Sequence, residues 1–261
     1  MGKKWGQHFL RSPRTVEKIV QAAELNSEDV VLEIGPGQGV LTLPLCQRVK
    51  RVHAFEIDPD LVASLTELNV TNLCLHQGDF LKVDPLQVMG VDAQETLTVV
   101  ANLPYYITAP IVERLLWTRP LKLKRVILMM QDEVAERICL PATRTAGALT
   151  YFAGAFFQAD YLFKVPPGCF DPPPRVDSAV IKLEPREGQD QDRTAKERRL
   201  YERLVSTAFQ TRRKQLGRSL KSIRADASEL LESANIDSKR RPETLTVQEF
   251  WNLTRIWHDC E

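Results

Sequence analysis

The sequence is poor in cysteine and histidine, and the few it has are scattered. Five cysteines and four histidines are spread over 261 residues, and no two cysteines stand at CxxC spacing. This spacing excludes the common zinc motifs and a disulfide framework, so we predict no bound metal. We expect the cysteines to be core residues of a protein in a reducing, cytoplasmic setting.

Long apolar runs are also missing. The longest uninterrupted run covers the five residues Val126 to Met130, whereas a membrane-spanning helix needs roughly 20. Two lysines near the start are not followed by an apolar core, so we expect no secretory signal. These features predict a soluble monomer without a membrane partner.

The sequence lacks an excess of charge of either sign. It contains 35 Lys and Arg against 34 Asp and Glu, which gives a formal net charge of +1. Taken as a total, this balance counts against a nucleic-acid partner, since such proteins usually carry a basic excess. The distribution is uneven, however, because residues 193–224 and 1–18 together carry +13 and the remainder carries −12. The polarised distribution favours an RNA partner held by these two segments.

Strand and helix patterns alternate over the first half of the chain. Short apolar runs predict strands at 30–34, 52–57, 73–76, 97–101 and 126–130. Helical spacing of apolar residues predicts helices at 16–25, 40–48, 60–68 and 107–117. Such alternation predicts an α/β fold, with a mostly parallel sheet and helices on both faces.

The pattern changes after residue 146. We predict a buried helix over 149–157, a strand over 161–165 and a last strand over 178–183, with a stiff proline-rich loop over 166–174 between the two strands. A polar run over 184–192 indicates a linker, and the sequence beyond it is predicted to be helical. The predicted domains are therefore 1–187 and a helical domain over 188–261.

A glycine-rich turn, Glu33-Ile34-Gly35-Pro36-Gly37-Gln38-Gly39, follows the first predicted strand of the sheet. Glycine permits a tight turn and a close ligand approach, and the next helix offers free amide groups. The dinucleotide fingerprint GxGxxG is not formed, because Val40 stands three residues after Gly37. The pattern ExGxGxG resembles the cofactor loop of the S-adenosylmethionine-dependent methyltransferases, and a purely structural turn is the alternative.

Acidic residues follow the next two predicted strands. Glu56 is placed to accept hydrogen bonds from both ribose hydroxyls of an adenosine-containing cofactor, and Asp79 from its adenine amino group. Either acid alone is commonly a strand-end or helix-cap residue. Because ligands of open α/β sheets bind beyond the carboxyl ends of the strands, both together indicate a cofactor site.

Asn102-Leu103-Pro104-Tyr105-Tyr106 follows the fourth predicted strand. Asn and Pro are common in turns, but we expect this strand to lie beside the first, so that the segment faces the glycine turn. The Asn102 side-chain oxygen and a backbone carbonyl held by Pro104 could then accept hydrogen bonds from an adenine amino group. Tyr105 offers the base a flat face, and no strong general base is required.

Three separated motifs together resemble one family. Asn102 to Tyr105 resembles the Asn/Asp-x-Pro-Tyr/Phe motif of enzymes that methylate the amino group of adenine. With the segment Trp5 to Leu10 near the start and Phe170 to Ser178 late in the chain, the sequence resembles the ribosomal RNA adenine dimethyltransferases. The resemblance runs from about residue 3 to about residue 257.

The resemblance implies a Rossmann-like S-adenosylmethionine-dependent methyltransferase domain with a mostly parallel seven-stranded sheet, followed by a small helical RNA-binding domain. It implies two methyl transfers to each of two adjacent adenines in the 3′-terminal hairpin loop of small-subunit (16S) ribosomal RNA, within an assembling 30S particle. The alternatives are a large-subunit adenine methylase that confers antibiotic resistance and a non-catalytic RNA- or DNA-binding relative.

The resemblance also implies the site residues. The implied cofactor-binding positions are His8, Leu10, Gly35, Gly37, Glu56, Ile57, Asp79, Phe80 and Asn102. The implied catalytic positions are Asn102, Leu103, Pro104 and Tyr105, with Phe170 holding the target base against Tyr105. The implied RNA-binding positions, in a segment that resembles a basic helix, are Arg212, Arg213, Lys214, Arg218 and Lys221. Position 8 is often Asn in the family and is His here, a departure that leaves the nature of its contact open.

Overall fold

The fold is built around a seven-stranded sheet. The computed structural model describes residues 7–92, 94–117, 121–140, 143, 145–186 and 194–260. The strands in chain order are β1 (Phe9–Leu10), β2 (Val30–Ile34), β3 (Arg51–Glu56), β4 (Leu73–Gln77), β5 (Thr96–Asn102), β6 (Lys122–Gln131), β7 (Phe157–Val165), β8 (Phe170–Asp171) and β9 (Ser178–Pro185). The sheet has the order β4-β3-β2-β5-β6-β9-β7, and β1 pairs with β8 in a separate two-stranded ribbon.

The sheet is mostly parallel, as predicted. Strand β2 pairs in parallel with β3 and β5, β3 with β4, and β5 with β6, whereas β9 runs antiparallel to β6. Strand β5 lies directly beside β2, with Glu33 opposite Val100. The residues that follow β2, β3, β4 and β5 therefore emerge at one edge of the sheet.

Helices complete the fold. They are α1 (Pro13–Ala22), α2 (Thr42–Cys46), α3 (Pro59–Glu67), α4 (Pro85–Met89), α5 (Thr108–Trp117), α6 (Asp132–Cys139), α7 (Ala148–Phe156), α8 (Ala195–Gln210), α9 (Leu216–Leu220), α10 (Ala227–Ser233) and α11 (Val247–Asp259). Helix α1 illustrates how the sequence sets them. The Ser12 hydroxyl accepts the N–H of Thr15 and caps the helix, and Pro13 fits its first turn. The face with Val16, Ile19 and Val20 is buried in the core.

The chain divides into two compact units. The first contains Met1–Ala135 and Ala159–Pro185, and the second contains Glu136–Gln158 and Arg186–Glu261. The predicted boundary at residue 187 lies outside the described residues. The segment Glu136–Gln158, which the sequence places in the first domain, belongs to the second unit.

Aromatic packing explains why that segment joins the C-terminal helices. Helix α7 is apolar on most sides, and its Tyr151 ring lies 4.9 Å from the Phe250 ring of α11, centroid to centroid. The Tyr151 hydroxyl donates a hydrogen bond to the Leu245 carbonyl at 2.7 Å. The Tyr201 ring of α8 stacks on the Trp251 ring with centroids 4.0 Å apart. These rings form the core of the second unit.

Several elements differ from their predicted bounds. Helix α2 covers only Thr42–Cys46, and β7 begins at Phe157, directly after α7. Glu184 and Pro185 belong to β9 and not to the predicted linker, whose residues from 187 on lie outside the described part of the chain. The ribbon of β1 and β8 and the short helices α4 and α6 were not predicted. Only the second half of β7 was predicted, as the strand over 161–165; its first residues were missed because only the two end residues of β7 are buried, so its apolar alternation is weak.

Among the helices described, none is both long and apolar enough to cross a membrane. Within the same residues, no three His, Cys, Asp or Glu side chains are grouped where they could hold a metal ion.

Candidate active site

A cavity opens at the carboxyl ends of β2, β3, β4 and β5, within the first unit. The residues that follow these four strands and the N-terminal segment from Gln7 to Leu10 form its walls. All the cofactor-binding positions implied by the sequence line it, namely His8, Leu10, Gly35, Gly37, Glu56, Ile57, Asp79, Phe80 and Asn102. Leu103, Pro104 and Tyr105 line it as well. The fold thus brings together segments that are up to about a hundred residues apart in sequence.

The glycine turn holds the Glu56 carboxylate in place. Its Oε2 accepts the N–H of Gly37 at 3.1 Å, and its Oε1 accepts the N–H groups of Ile57 at 2.9 Å and Asp58 at 3.0 Å. Burial raises the pKa of Glu56, and the three N–H donors oppose this rise. A carboxylate offers about four lone-pair sites, so Glu56 keeps acceptor capacity for a ligand.

Glycine is required at position 37 for two reasons. Its φ angle is +57°, and a Cβ atom there would lie 3.2 Å from the Phe9 ring. Residues with side chains rarely adopt this backbone region. The close approach of β1 to the turn therefore depends on Gly37, as does the hydrogen bond from its N–H to Glu56.

Glu33 is a site residue that the sequence analysis did not select. It is 1% exposed at the end of β2 and lines the cavity. Burial raises the pKa of Glu33 to about 8, opposed by the nearby Thr42 hydroxyl and reinforced by Glu56. Within the described residues, however, neither Glu33 Oε2 nor Thr42 Oγ1 has a hydrogen-bond partner, so the geometry of this pair falls short of a bond. A buried acceptor without a partner beside a cavity fits a donor group of a ligand. The sequence did contain a signal for this residue, because Glu33 is the glutamate that opens the ExGxGxG pattern.

An apolar pocket with one acid lies beyond β3 and β4. The Phe55 and Phe80 rings meet edge to face with centroids 5.4 Å apart, and both line the cavity. Asp79 Oδ1 accepts the N–H of Leu81 at 3.0 Å, which fixes the carboxylate at the turn after β4. Two aromatic walls beside a carboxylate acceptor fit a flat base with an exocyclic amine.

Asn102 is oriented by the N-terminal segment. Its Nδ2 donates a hydrogen bond to the His8 carbonyl at 3.3 Å, which leaves Oδ1 as an acceptor. The Pro104 carbonyl already accepts the Ile107 N–H at 3.1 Å and the Thr108 hydroxyl at 3.2 Å. Among the described residues, no hydrogen bond to the Leu103 carbonyl is found, so this carbonyl is available as a backbone acceptor beside Asn102.

Tyr105 is fixed from two sides. Its hydroxyl is hydrogen-bonded to the Oγ of Ser178, at the start of β9, at 2.6 Å. Its ring lies 5.6 Å from the His8 ring, centroid to centroid, with the planes inclined at 31°. The His8 Nδ1–H in turn donates to the Pro172 carbonyl at 2.7 Å. Burial raises the pKa of Tyr105, so the phenol stays neutral at neutral pH.

Phe170 requires a correction. Its side chain is 5% exposed, does not line the cavity, and belongs to the hydrophobic core that also contains Val16 and Ile19. Pairing of β8 with β1 sets Phe170 opposite Leu10. The ring is therefore held in this core and does not line the cavity, which the predicted base sandwich with Tyr105 would require.

The predicted RNA-binding cations lie in the second unit. Arg212, Arg213 and Lys214 occupy the turn after α8, not the basic helix that the resemblance implied. Residues 210–215 contain no apolar side chain that a helix there could bury. Arg218 and Lys221 are exposed on α9 and just beyond it, while Leu216, Gly217, Ser219 and Leu220 of α9 are buried. Arg213 and Lys214 are also exposed, and Arg212 is half-buried.

Known proteins are similar to this chain in sequence and in fold. The family model described as "Ribosomal RNA adenine dimethylase" matches residues 1–259. A relative from Clostridium botulinum, named "Ribosomal RNA small subunit methyltransferase A", is 41% identical over 98% of this chain and 94% of its own length. The crystal structure of a dimethyladenosine transferase from Plasmodium falciparum matches with a TM-score of 0.80 and 26% identity, over 97% of this chain and 98% of that one. The crystal structure of the 23S rRNA methyltransferase ErmE matches with a TM-score of 0.70 and 27% identity, over 95% and 98% of the two chains.

Proposed function

The chain belongs to the ribosomal RNA adenine dimethylase family, and we propose that it transfers methyl groups from S-adenosylmethionine to two adjacent adenines in the 3′-terminal hairpin loop of 16S ribosomal RNA. Each adenine amino group receives two methyl groups. The observation that carries the proposal is that Asn102 to Tyr105 and the acids Glu56 and Asp79 line one cavity. The name of the relative that is 41% identical supports the small-subunit substrate.

The residues of the cavity fit S-adenosylmethionine. Glu56 would accept the ribose hydroxyls, Asp79 the adenine amino group, and Phe55 and Phe80 would enclose the base. The unpartnered Oε2 of Glu33 fits a donor group in the remaining part of the cofactor, and the glycine turn, where a side chain at position 37 would be strained, leaves room for a close approach. When bound, the cofactor supplies a methyl group attached to a positively charged sulfur that leaves readily as a neutral thioether when the methyl group is transferred.

Asn102 and the Leu103 carbonyl act on the target amine. The lone pair of an adenine amino group is delocalised into the ring, so the amine is a poor nucleophile. Two acceptors that hold its N–H groups favour the tetrahedral nitrogen of the transition state. The hydrogen bond from Asn102 Nδ2 to the His8 carbonyl keeps the acceptor oxygen from exchanging places with the NH2 group. No side chain needs to remove a proton before the transfer.

Tyr105 holds the base. Its bond to Ser178 fixes the ring in one orientation before RNA arrives, and stacking on such a ring is worth roughly 1–3 kcal/mol per base. The target adenine must leave the RNA stack to reach the cavity. Leaving the stack costs least in a loop, where base pairing is already absent.

The second unit would supply phosphate contacts. These contacts would come from exposed cations that suit the RNA backbone, namely Arg213, Lys214, Arg218 and Lys221, with the half-buried Arg212 beside them in the chain. Phosphate contacts position a substrate without reading its sequence. On this proposal the first unit is the catalytic domain and the second is the RNA-binding domain. The natural substrate is an assembling 30S particle in the cytoplasm, and the enzyme acts as a monomer.

Transfer of labelled methyl groups tests the proposal. Unmethylated small subunits and large-subunit 23S ribosomal RNA are each incubated with the protein and labelled S-adenosylmethionine. We expect label in the small-subunit RNA only. Label confined to 23S RNA would instead favour an activity like that named for ErmE, and no label in either RNA would favour a non-catalytic protein.

A further inference from the structure

The exposed face of α1 carries two cations, Arg14 and Lys18, for which the described residues show no ion pair. Arg14 and Lys18 are both exposed and stand four residues apart, so they share one face of the helix. Among the described residues, neither is engaged in an ion pair or a hydrogen bond. The Lys18 ammonium lies 5.2 Å from the centroid of the Phe163 ring, a contact that orients it and leaves its N–H donors available.

The position of Arg14 works against the stability of the helix. Helix α1 begins at Pro13, so Arg14 lies in the first turn, where the helix dipole favours acids and disfavours cations. The first turn of α1 contains no acidic residue. The nearest acid on the exposed face, Glu17, is paired with Arg48 at 3.3 Å. Since Arg14 does not stabilise its own helix, its charge fits a role in binding a partner.

Helix α1 begins close to the mouth of the active site. Leu10 lines the cavity, and Arg14 follows it by four residues, which can span at most about 14 Å of extended chain. Lys18 stands about 6 Å further along the helix. Both cations are therefore within about 20 Å of a residue in the cavity wall. An RNA strand with a base in the cavity has its neighbouring phosphates within this range.

We propose that Arg14 and Lys18 form a phosphate-binding surface on the first unit, which holds the RNA strand beside the target adenine. This inference rests on the proposed function, because it requires an RNA substrate with one base in the cavity. Arginine offers phosphate a planar fork of donors and lysine a compact charge, a combination suited to backbone contacts that do not depend on sequence. The surface is separate from the cations of the second unit and lies on the same unit as the catalytic motif.

Neutralising the pair, with a matched control, tests the surface. The variant Arg14→Gln/Lys18→Gln is compared with Lys50→Gln/Arg51→Gln in the full-length protein. Lys50 and Arg51 are also exposed, but they lie at the start of β3, at the opposite end of this strand from Glu56. The two double variants lose the same charge, so an effect of overall charge would be equal in both. Binding to unmethylated 16S RNA is measured over a range of salt concentrations.

We expect the Arg14→Gln/Lys18→Gln variant to bind RNA about tenfold more weakly at 0.15 M salt, with the slope of log K against log salt reduced in magnitude by about 1.4. The control should bind like wild type. Binding of S-adenosylmethionine should stay unchanged. The unfolding midpoint should be unchanged or higher, since the variant removes an unfavourable charge from the helix start.

Three results would overturn the inference. They are RNA binding that is unchanged in the Arg14/Lys18 variant, an equal loss in the control, and a lowered unfolding midpoint accompanied by lost cofactor binding. Methyl transfer by the wild-type protein separates this inference from the proposed function. If wild type methylates the RNA and the variant binds the RNA as tightly as wild type, only the phosphate surface is wrong; if wild type transfers no methyl group, the proposed function is wrong.

Discussion

At the scale of single residues, the site consists mainly of acceptors whose direction is fixed by backbone groups. Glu56 is held by three N–H donors, and Asn102 is held by the His8 carbonyl. An arrangement fixed before the substrate arrives needs no reorganisation during the reaction, which is how electrostatic stabilisation becomes effective. Neither Glu56 nor Asn102 has to change its protonation state.

Replacing Asn102 tests the role of its oxygen. We expect Asn102→Ala to reduce kcat by at least about 100-fold, by analogy with the loss of one hydrogen-bonding group from a catalytic site. Binding of S-adenosylmethionine, measured by calorimetry, should change by only a few fold. Asn102→Asp is the comparison variant, because it retains an acceptor oxygen while losing the bond to His8 and gaining a negative charge, and it should keep more activity than the alanine variant. Full turnover by Asn102→Ala would remove this residue from the mechanism.

Glu33 predicts a pH dependence of stability. Its pKa in the folded protein is about 8 and its ordinary value is 4.5, so the folded state binds the proton more tightly than the unfolded state. The stabilisation from this proton is complete below pH 4.5. It is lost at about 1.4 kcal/mol per pH unit as the pH rises from 4.5 to 8.

The pH effect of Glu33 can be isolated with Glu33→Gln, which has a similar shape and cannot titrate. The free energy of unfolding of both proteins is measured by denaturant titration from pH 5 to pH 8.5. We expect wild type to lose stability relative to the variant as the pH rises, with the difference levelling off above pH 8. A constant difference across this range would show that Glu33 is ionised in the folded protein.

At the scale of secondary structure elements, the catalytic motif is positioned by pairing between distant segments. His8, just before β1, donates a hydrogen bond to the Pro172 carbonyl in the loop after β8. Ser178, the first residue of β9, is hydrogen-bonded to the Tyr105 hydroxyl. The orientation of Tyr105 thus depends on two elements that are about 70 and about 100 residues away in sequence. In this structure the segment Phe170 to Ser178 contacts Tyr105 through Ser178, and the Phe170 ring lies in the hydrophobic core.

A double-mutant cycle measures the coupling between β9 and the catalytic motif. We expect Ser178→Ala and Tyr105→Phe each to lower kcat/KM for RNA, because each removes the hydrogen bond that fixes the ring. The double variant should be little worse than either single one, since both changes remove the same bond. Cofactor binding serves as the control and should be unaffected. Fully additive losses would show that Ser178 and Tyr105 act independently.

Local patterns in the sequence predicted much of the fold and of the site. Strand β2 has the predicted bounds, and the glycine turn, Glu56 and Asp79 line one cavity, because buried β-branched runs and strand-end turns are set by neighbouring residues. The other cofactor positions, such as His8 and Phe80, were implied by the family resemblance. Long-range contacts were not predictable in this way. The ribbon pairs Leu10 with Phe170, and no local pattern indicates that this pairing buries the Phe170 ring. Likewise, α7 is visibly apolar, but the sequence does not show that it packs against the C-terminal helices.

At the scale of the whole molecule, a net charge of +1 conceals a separation of charge between segments. The cations of the second unit are exposed in a turn and a short helix whose other side is buried. A surface of this kind suits the phosphate backbone, to which binding weakens with added salt because binding releases counterions from the RNA.

Neutralising Arg213 and Lys214 tests the role of the second unit. We expect Arg213→Gln/Lys214→Gln to weaken binding to 16S RNA and to flatten its salt dependence, with an effect that is uniform across RNA sequences. Lys50→Gln/Arg51→Gln again controls for the loss of two charges. If the Arg213/Lys214 variant binds RNA like wild type, the substrate is held elsewhere.

The central claim is that the cavity at the ends of β2 to β5 dimethylates adenines of small-subunit RNA. Mass spectrometry of nuclease digests measures this directly, after unmethylated small subunits have reacted with wild-type protein or with Asn102→Ala. We expect two dimethyladenosines per small-subunit RNA, both in the 3′-terminal hairpin loop, with wild type and none with Asn102→Ala. Dimethyladenosine formed equally by the variant, or formed by wild type only in large-subunit RNA, would contradict the account.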